Sequence, residues 1–385
     1  MLRRELLTRS GLALAAGAMG SSAGLLDAAA QDNPPEGADG LDWPAVRAQF
    51  ALSDEFIHMS AMLLSSHPKA VRRAIEEHRR GMDADPLTYV FENNRRLQED
   101  ARAAAGQYFG VDASDIALTD STTMGVALVY NGLRLTEDQE ILSTEQDYYV
   151  THESIRLAGR RTGAKVRRIS LYESIDGISE EQIVDRTMQA ITRSTRVLAL
   201  TWVHSSTGLK LPLRAITQAV GELNAGRDED ARVLVCVDGV HGFGIEDVVL
   251  ADLGCDFFMA GCHKWLFGPR GTGIVAGAQR AWASLLPTIP SFIDSGNWRA
   301  WSSGSDPEGP TTASRVSPGG YKAFEHLWAL PKAFEFHQWI GKARVAERTH
   351  ELGAQLKSRI ARHSPDYRPY AAVRKALGRH RLLRR

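Results

Sequence analysis

The chain has 385 residues, 43% of them hydrophobic and 24% charged, with 34 glycines. That is the profile of a folded globular protein with room for a large domain and a smaller partner, and it excludes disordered, collagen-like and coiled-coil chains. The 46 Lys and Arg are matched by 46 Asp and Glu, so no overall field draws the chain to nucleic acid or anionic lipid, and three cysteines exclude a disulfide framework.

Residues 1–30 read as an export signal. Arg3 and Arg4 precede an apolar, small-residue run from Gly11 to Leu26, which ends in Ala28-Ala29-Ala30. The run is diluted by Gly and Ser and falls short of the ~20 strongly apolar residues that a membrane anchor needs. Paired arginines followed by Leu6 and Leu7 fit the twin-arginine pattern, with Leu6 where Phe is commonest. The expected product is a periplasmic protein carried out already folded by the twin-arginine machinery. Residues 31–42, rich in Pro, Gly and acid, read as a linker.

From Trp43 onward helical and strand patterns alternate. Helices are expected over Pro68 to Met82 and over Pro86 to Phe109, the second closed by Gly110. Buried strands are expected at Ile116 to Thr119, Glu140 to Ser143, Val166 to Ile169, Val197 to Trp202, Val233 to Val237, Phe257 to Ala260 and Gly273 to Ala276. Helical stretches at Met124 to Leu133, His152 to Arg161, Glu180 to Ile191 and Leu213 to Leu223 lie between them. Repeated strand-helix-strand text predicts an α/β fold, a mostly parallel seven-stranded sheet with helices on both faces, over residues 43–320. In such sheets ligands collect beyond the carboxyl ends of the strands. Residues 321–385 read as a long linking helix, Tyr321 to Ile360, leading to a small second domain that is expected to be truncated. From Leu356 on there are ten Lys or Arg against the single acid Asp366, a solvated basic tail.

The ends of two predicted neighbouring strands concentrate the chemistry. Val233 to Val237 delivers Asp238, with His241 three residues on, and Phe257 to Ala260 delivers Gly261-Cys262-His263-Lys264-Trp265. Singly, Asp238 also fits a turn cap, His241 a core histidine and Lys264 a solvated lysine; together a carboxylate, an imidazole and an amine fit one chemistry. A nicotinamide-binding alternative requires Gly-x-Gly-x-x-Gly after an early strand. Gly268 to Gly273 is only loosely like that and follows the lysine.

The text Thr119-Asp-Ser-Thr-Thr-Met-Gly125, Trp202-Val-His-Ser-Ser-Thr-Gly208, Asp238-Gly-Val-His241 and Gly261-Cys-His-Lys-Trp265, followed by Gly268-Pro-Arg-Gly-Thr-Gly273, resembles the class V aminotransferase family. These are the fold type I enzymes that use pyridoxal 5'-phosphate (PLP), among them cysteine desulfurases and isopenicillin N epimerase. The likeness runs from about Glu55 to Leu356 and is most specific between Asp238 and Gly273. It implies the PLP-dependent transferase fold, the cofactor, the usual homodimer and a small-molecule amino acid or amine substrate, converted by transamination, epimerisation or elimination.

The resemblance also gives each residue a role with a physical reason. Lys264 would form the Schiff base and shuttle the Cα proton, which needs a deprotonable amine in a desolvated pocket. Asp238 would keep the pyridine nitrogen protonated. Ser121, Thr122 and Thr123, opening a helix after a strand, suit the phosphate, with His263 as a further donor. Tyr148, or Tyr149 in its stead, would cover the ring, and His241 and Ser205 would bond the ring hydroxyl or the substrate. Three departures stand out. Cys236, Cys255 and Cys262 are badly placed to carry a persulfide. The glycine-threonine pair that often reaches the neighbouring subunit's phosphate is Gly319-Gly320. A substrate-carboxylate arginine of the small domain cannot be assigned to Arg368, Arg374 or the other tail arginines, which leaves a truncated PLP-binding protein with little or no activity as the alternative function.

Overall fold

The computed structural model describes residues 42–363. The expected export signal, nearly all of the linker and the tail beyond His363 lie outside the described residues. The helices that bear on function are α1 (Lys69–Ala84), α2 (Pro86–Phe109), α3 (Thr122–Gly132), α4 (Tyr149–Thr162), α5 (Glu180–Ala190), α6 (Leu213–Asn224), α7 (Ser295–Ser303), α8 (Pro331–Ile340) and α9 (Lys342–His363). Seven strands, β1 (Ile116–Thr119), β2 (Glu140–Thr144), β3 (Lys165–Ile169), β4 (Thr195–Thr201), β5 (Leu234–Asp238), β6 (Phe257–Gly261) and β7 (Gly273–Gly277), form one sheet in the order β1-β7-β6-β5-β4-β2-β3. Strands β3 to β6 run parallel through β2 and β4, while β7 is antiparallel to both of its neighbours.

The near-continuous apolar runs follow from burial of both sheet faces. In β5, Val235 and Val237 join the cluster that holds Tyr108, Phe109, Ile216 and Phe334. Leu234 and Cys236, alternating with them, join the cluster on the other face with Val129, Tyr130 and Ile155. Alternate side chains of one strand thus feed two separate cores, and the strand ends between them are dry.

Three expectations need correction. β3 is not a buried strand. It is an edge strand, its Arg168 is exposed, and Arg167 forks onto Glu140 at 2.8 Å through both Nε and Nη2; charge of this kind keeps an edge from pairing with another chain. The helical text from Tyr321 to Ile360 is not one helix. Pro331 starts α8 and Gly341 ends it, because proline suits the first turn and not the interior. Asp238 does not follow β5 but closes it. The region between β7 and residue 320, for which no element was expected, contains α7 and a helical turn at Ala313–Val316 whose following residue, Ser317, accepts at Oγ from the Leu118 amide (3.0 Å) and so covers the β1 edge. None of α9 is buried. Among the described residues no helix is long and apolar enough to cross a membrane.

Candidate active site

The parallel register brings the chemistry together. Thr201 of β4 pairs with Asp238 of β5, and Asp238 pairs with Met259 of β6. Backbone bonds continue past the strand ends, from Trp202 N to Asp238 O and from Gly239 N to Met259 O, both 2.9 Å. Asp238 is therefore rigid and nearly fully buried, with its Oδ1 taking one bond from the Val240 amide at 3.2 Å. Burial pushes its pKa up from 3.8 to about 6, with the Val240 bond and the Lys264 charge opposing and the Asp147 charge adding. Lys264, half-buried on the turn after β6, is shifted the other way, down, by the same desolvation, with Asp238 opposing. Each charge sees the other, and burial disfavours both.

His241 is held at about 4 by burial and by the Lys264 charge, so it is neutral in the ordinary pH range. Its Nδ1 lies 3.3 Å from Trp265 Nε1. Indole can only donate, which leaves the ring proton on Nε2. His263 is also lowered by burial and by Lys264, and its Nδ1 is buried without a hydrogen-bond partner.

The turn before α3 has the geometry of an anion cradle. Ser121 is the helix N-cap, its Oγ accepting from Met124 N at 3.1 Å. Thr122 Oγ1 accepts from Gly261 N at 2.8 Å, which ties the start of α3 to the end of β6. The first-turn N–H groups have no intrahelical acceptor. A Cβ on Gly261 would come within 2.9 Å of both Thr122 Oγ1 and His263 Cε1. The residue must be glycine for the hydroxyl, the orphaned imidazole nitrogen and the helix start to share one space. Thr123 has its side chain exposed.

Tyr148 caps α4 and Tyr149 begins it. Tyr148 is 46% exposed and Tyr149 67%, their rings 4.6 Å apart. Burial, and to a lesser extent the Tyr149 and Asp238 charges, raise the Tyr148 hydroxyl. Ser205 is half-buried in the loop that follows β4, a loop closed by the Val203–Lys210 bridge. All the sequence-predicted site residues thus lie at one end of the sheet, at or just past the ends of β1, β2, β4, β5 and β6.

Sequence reasoning missed the groups beneath them. Asp147, buried, accepts from Thr201 N (2.7 Å), Thr144 N (2.8 Å) and Ser143 Oγ (2.7 Å), and so locks the end of β2 to the end of β4 immediately before Tyr148. His204, also buried, bonds Tyr172 Oη at 2.9 Å through Nδ1 and leaves Nε2 unpartnered. Asp147 was within reach of the rule that polar residues just past strand ends collect at ligand sites. His204 needed the fold to bring Tyr172 to it.

The donor set fits PLP: a buried carboxylate, a half-buried lysine with a lowered pKa and a helix start with an unpartnered imidazole nitrogen beside it. The comparisons agree. The Aminotransferase class-V family model matches residues 65–379, beyond the Leu356 at which the motif likeness stops. The chain is 28% identical over 335 residues to isopenicillin N epimerase of Amycolatopsis lactamdurans, covering 83% of this chain and 78% of that one. It is 26% identical over 274 residues to a probable cysteine desulfurase of Streptomyces coelicolor, with 66% and 61% covered. Its backbone is similar to that of a C-DES mutant with glycine covalently linked to the PLP cofactor, with a TM-score of 0.69, 21% identity, and 82% and 79% of the two chains covered. The chain belongs to the class V aminotransferase family and is a PLP-dependent enzyme of fold type I.

A carboxyl group that holds its proton more tightly folded than unfolded stabilises the fold most at low pH, and that contribution is lost as pH rises through the folded-state value. Cofactor-free Asp238→Asn, which never carries the charge, is therefore expected to be more stable than the parent above pH 6 and to lose that advantage below about pH 4. The difference is at most about 3 kcal/mol, since each pKa unit is worth ~1.4 kcal/mol. Thermal melts of both cofactor-free proteins across this window check the sign, and parallel curves would overturn it.

Proposed function

We propose that this chain acts on an amino acid or amine at the bonds of its Cα carbon, by aminotransferase, epimerase or lyase chemistry, through Lys264. The observation that carries the reading is the Asp238–Lys264 pair at neighbouring strand ends, each group pushed by burial towards its neutral form. Bound, PLP supplies an electron sink for the pair left behind when a Cα bond breaks. Lys264, its pKa lowered by burial, would be the residue that holds the cofactor and moves the Cα proton. Asp238 would hold the proton of the ring nitrogen. Ser121, Thr122 and Thr123 at the start of α3, together with His263, hold the phosphate. Tyr148 would be the side chain that covers one face of the ring. Ser205 and the Nε2–H of His241 reach the ring hydroxyl or the substrate.

Persulfide transfer, the chemistry of a desulfurase, is disfavoured. Cys236, Cys255 and Cys262, all the cysteines of the chain, are free and buried. Burial raises every one of their thiols, that of Cys262 to about 12, so none offers an accessible thiolate. The reading of a chain that binds PLP with little turnover is favoured by one feature: no residue of α9 is buried.

The homodimer usual in the family is supported by an apolar cavity of about 280 Å³ lined by Leu87, Phe91, Phe292 and Tyr321, each more than three-fifths exposed in the single chain. Beside it, Gly319-Gly320 is fixed by shape: a Cβ on Gly319 would fall 2.1 Å from Phe292 N, and Gly320 has φ +98°. The hydroxyl of a threonine is excluded there on backbone grounds. Export to the periplasm rests on Arg3-Arg4 and the run that follows; a folded-protein route would carry cytoplasmic PLP out with the chain.

Purified protein is expected to absorb in the visible, and borohydride to fix the cofactor to the peptide holding Lys264. Lys264→Ala should abolish the adduct, and the same adduct in that variant would defeat the assignment. Titrating the holoprotein with a panel of amino acids should shift the spectrum and yield product; a shift without product favours the low-turnover reading. Phe91→Glu is expected to turn a dimer into a monomer by light scattering, and a parent protein that is already monomeric contradicts the dimer. Arg3→Lys with Arg4→Lys should trap folded protein in the cytoplasm, so normal periplasmic amounts would exclude the twin-arginine route.

A further inference from the structure

The turn that carries Lys264 is strained and is gripped by segments far away in the chain. Phe267 has φ +58°, the one non-glycine residue in the left-handed region among the described residues, a conformation that a bulky side chain avoids. Two backbone bonds close the turn internally: Phe267 N to Lys264 O at 3.1 Å and Gly268 N to Cys262 O at 2.8 Å. Two more of its carbonyls are bound from segments outside the sheet. His263 O accepts from Ser65 N (3.0 Å) and from Ser65 Oγ (2.9 Å). Trp265 O lies 2.9 Å from His337 Nε2 on α8. The Phe267 ring is wedged between Phe50 (5.1 Å), His337 (5.5 Å) and Phe336 (6.3 Å).

The protonation of His337 follows from its partners. It is fully buried, and burial, aided by Lys342 against the Trp265 bond, holds it at about 4. A carbonyl can only accept, so the proton is on Nε2, and Nδ1 takes the Tyr108 hydroxyl at 3.4 Å. Trp265 is then held at both ends, its carbonyl by His337 and its indole N–H by His241 Nδ1. Lys264 stands between the two gripped carbonyls.

We infer that Ser65 and His337 are positioning residues for Lys264, a two-sided clamp that fixes where its amine stands. Neither reaches the reacting atoms; each acts on a peptide carbonyl next to the lysine. The inference rests on the reading of Lys264 as the cofactor-bearing residue. His337→Leu leaves the Trp265 carbonyl buried and unpaired, whereas His337→Gln keeps a side-chain N–H of similar reach, and Ser65→Ala removes one of the two bonds to His263 O while keeping the backbone one.

The test measures three things on each purified variant: thermal stability, the rate at which added PLP becomes borohydride-fixable at Lys264, and the pH midpoint at which the visible band of the attached cofactor titrates. His337→Leu is expected to slow attachment by about tenfold, the scale of one buried hydrogen bond left unmade, and to shift the pH midpoint. His337→Gln should restore both, and Ser65→Ala should show a smaller effect in the same direction. If His337→Leu fails to fold, Ser65→Ala and His337→Gln carry the comparison, and unchanged rate and midpoint in Ser65→Ala then overturn the clamp. A lower melting temperature with the parent's rate and midpoint in all three variants also overturns it, since a merely structural role would do just that. If the parent itself is not fixed at Lys264, the functional reading fails instead.

Discussion

Burial works against charge on both Asp238 and Lys264, and the architecture around them maintains that opposition. Water must be kept from the ends of β5 and β6, so these strands are internal and both of their faces are covered. The groups must not drift together into a solvated ion pair, so one is the last residue of a strand and the other is on a braced turn. A surface pair of the same residues would be charged, hydrated and of little chemical use. Here desolvation disfavours the charged form of each group.

A second layer of polar groups makes the first layer rigid. Asp147 ties β2 to β4 under Tyr148 and adds its charge to the field on Asp238. Thr122 ties α3 to β6 under the anion cradle. Trp265 ties the lysine turn to His241. Each link joins two loops that would otherwise be independent, so the residues facing a cofactor are set by contacts among loops and not by any one loop alone.

The alternation of strands and helices was legible because burial of both faces writes each strand as an apolar run, and the site motifs were legible because their chemistry follows directly on those runs. β3 was misread because an edge strand with Val166 and Ile169 in it has the same local text as a core strand; only its place in the sheet, with Arg167 turned onto Glu140, separates the two. The break at Gly341 and the helix α7 were missed since one glycine, or a short polar stretch with tryptophans, carries little periodic signal. His204, Ser65 and His337 were invisible for another reason. Their partners lie 32, 198 and 72 residues away, and no local pattern encodes such distances.

The grip on Trp265 gives the chain a fixed order of completion during synthesis. A ribosome that has delivered Asp238, His263 and Lys264 has still to make His337, and until α8 emerges and docks, the Trp265 carbonyl beside the lysine lacks its His337 donor and the left-handed backbone at Phe267 lacks two of the three rings of its wedge. Local folding of the sheet can therefore run ahead of the site. The turn that carries Lys264 is thus fully braced only once the stretch through α8 has been made, well after the strands on either side of it.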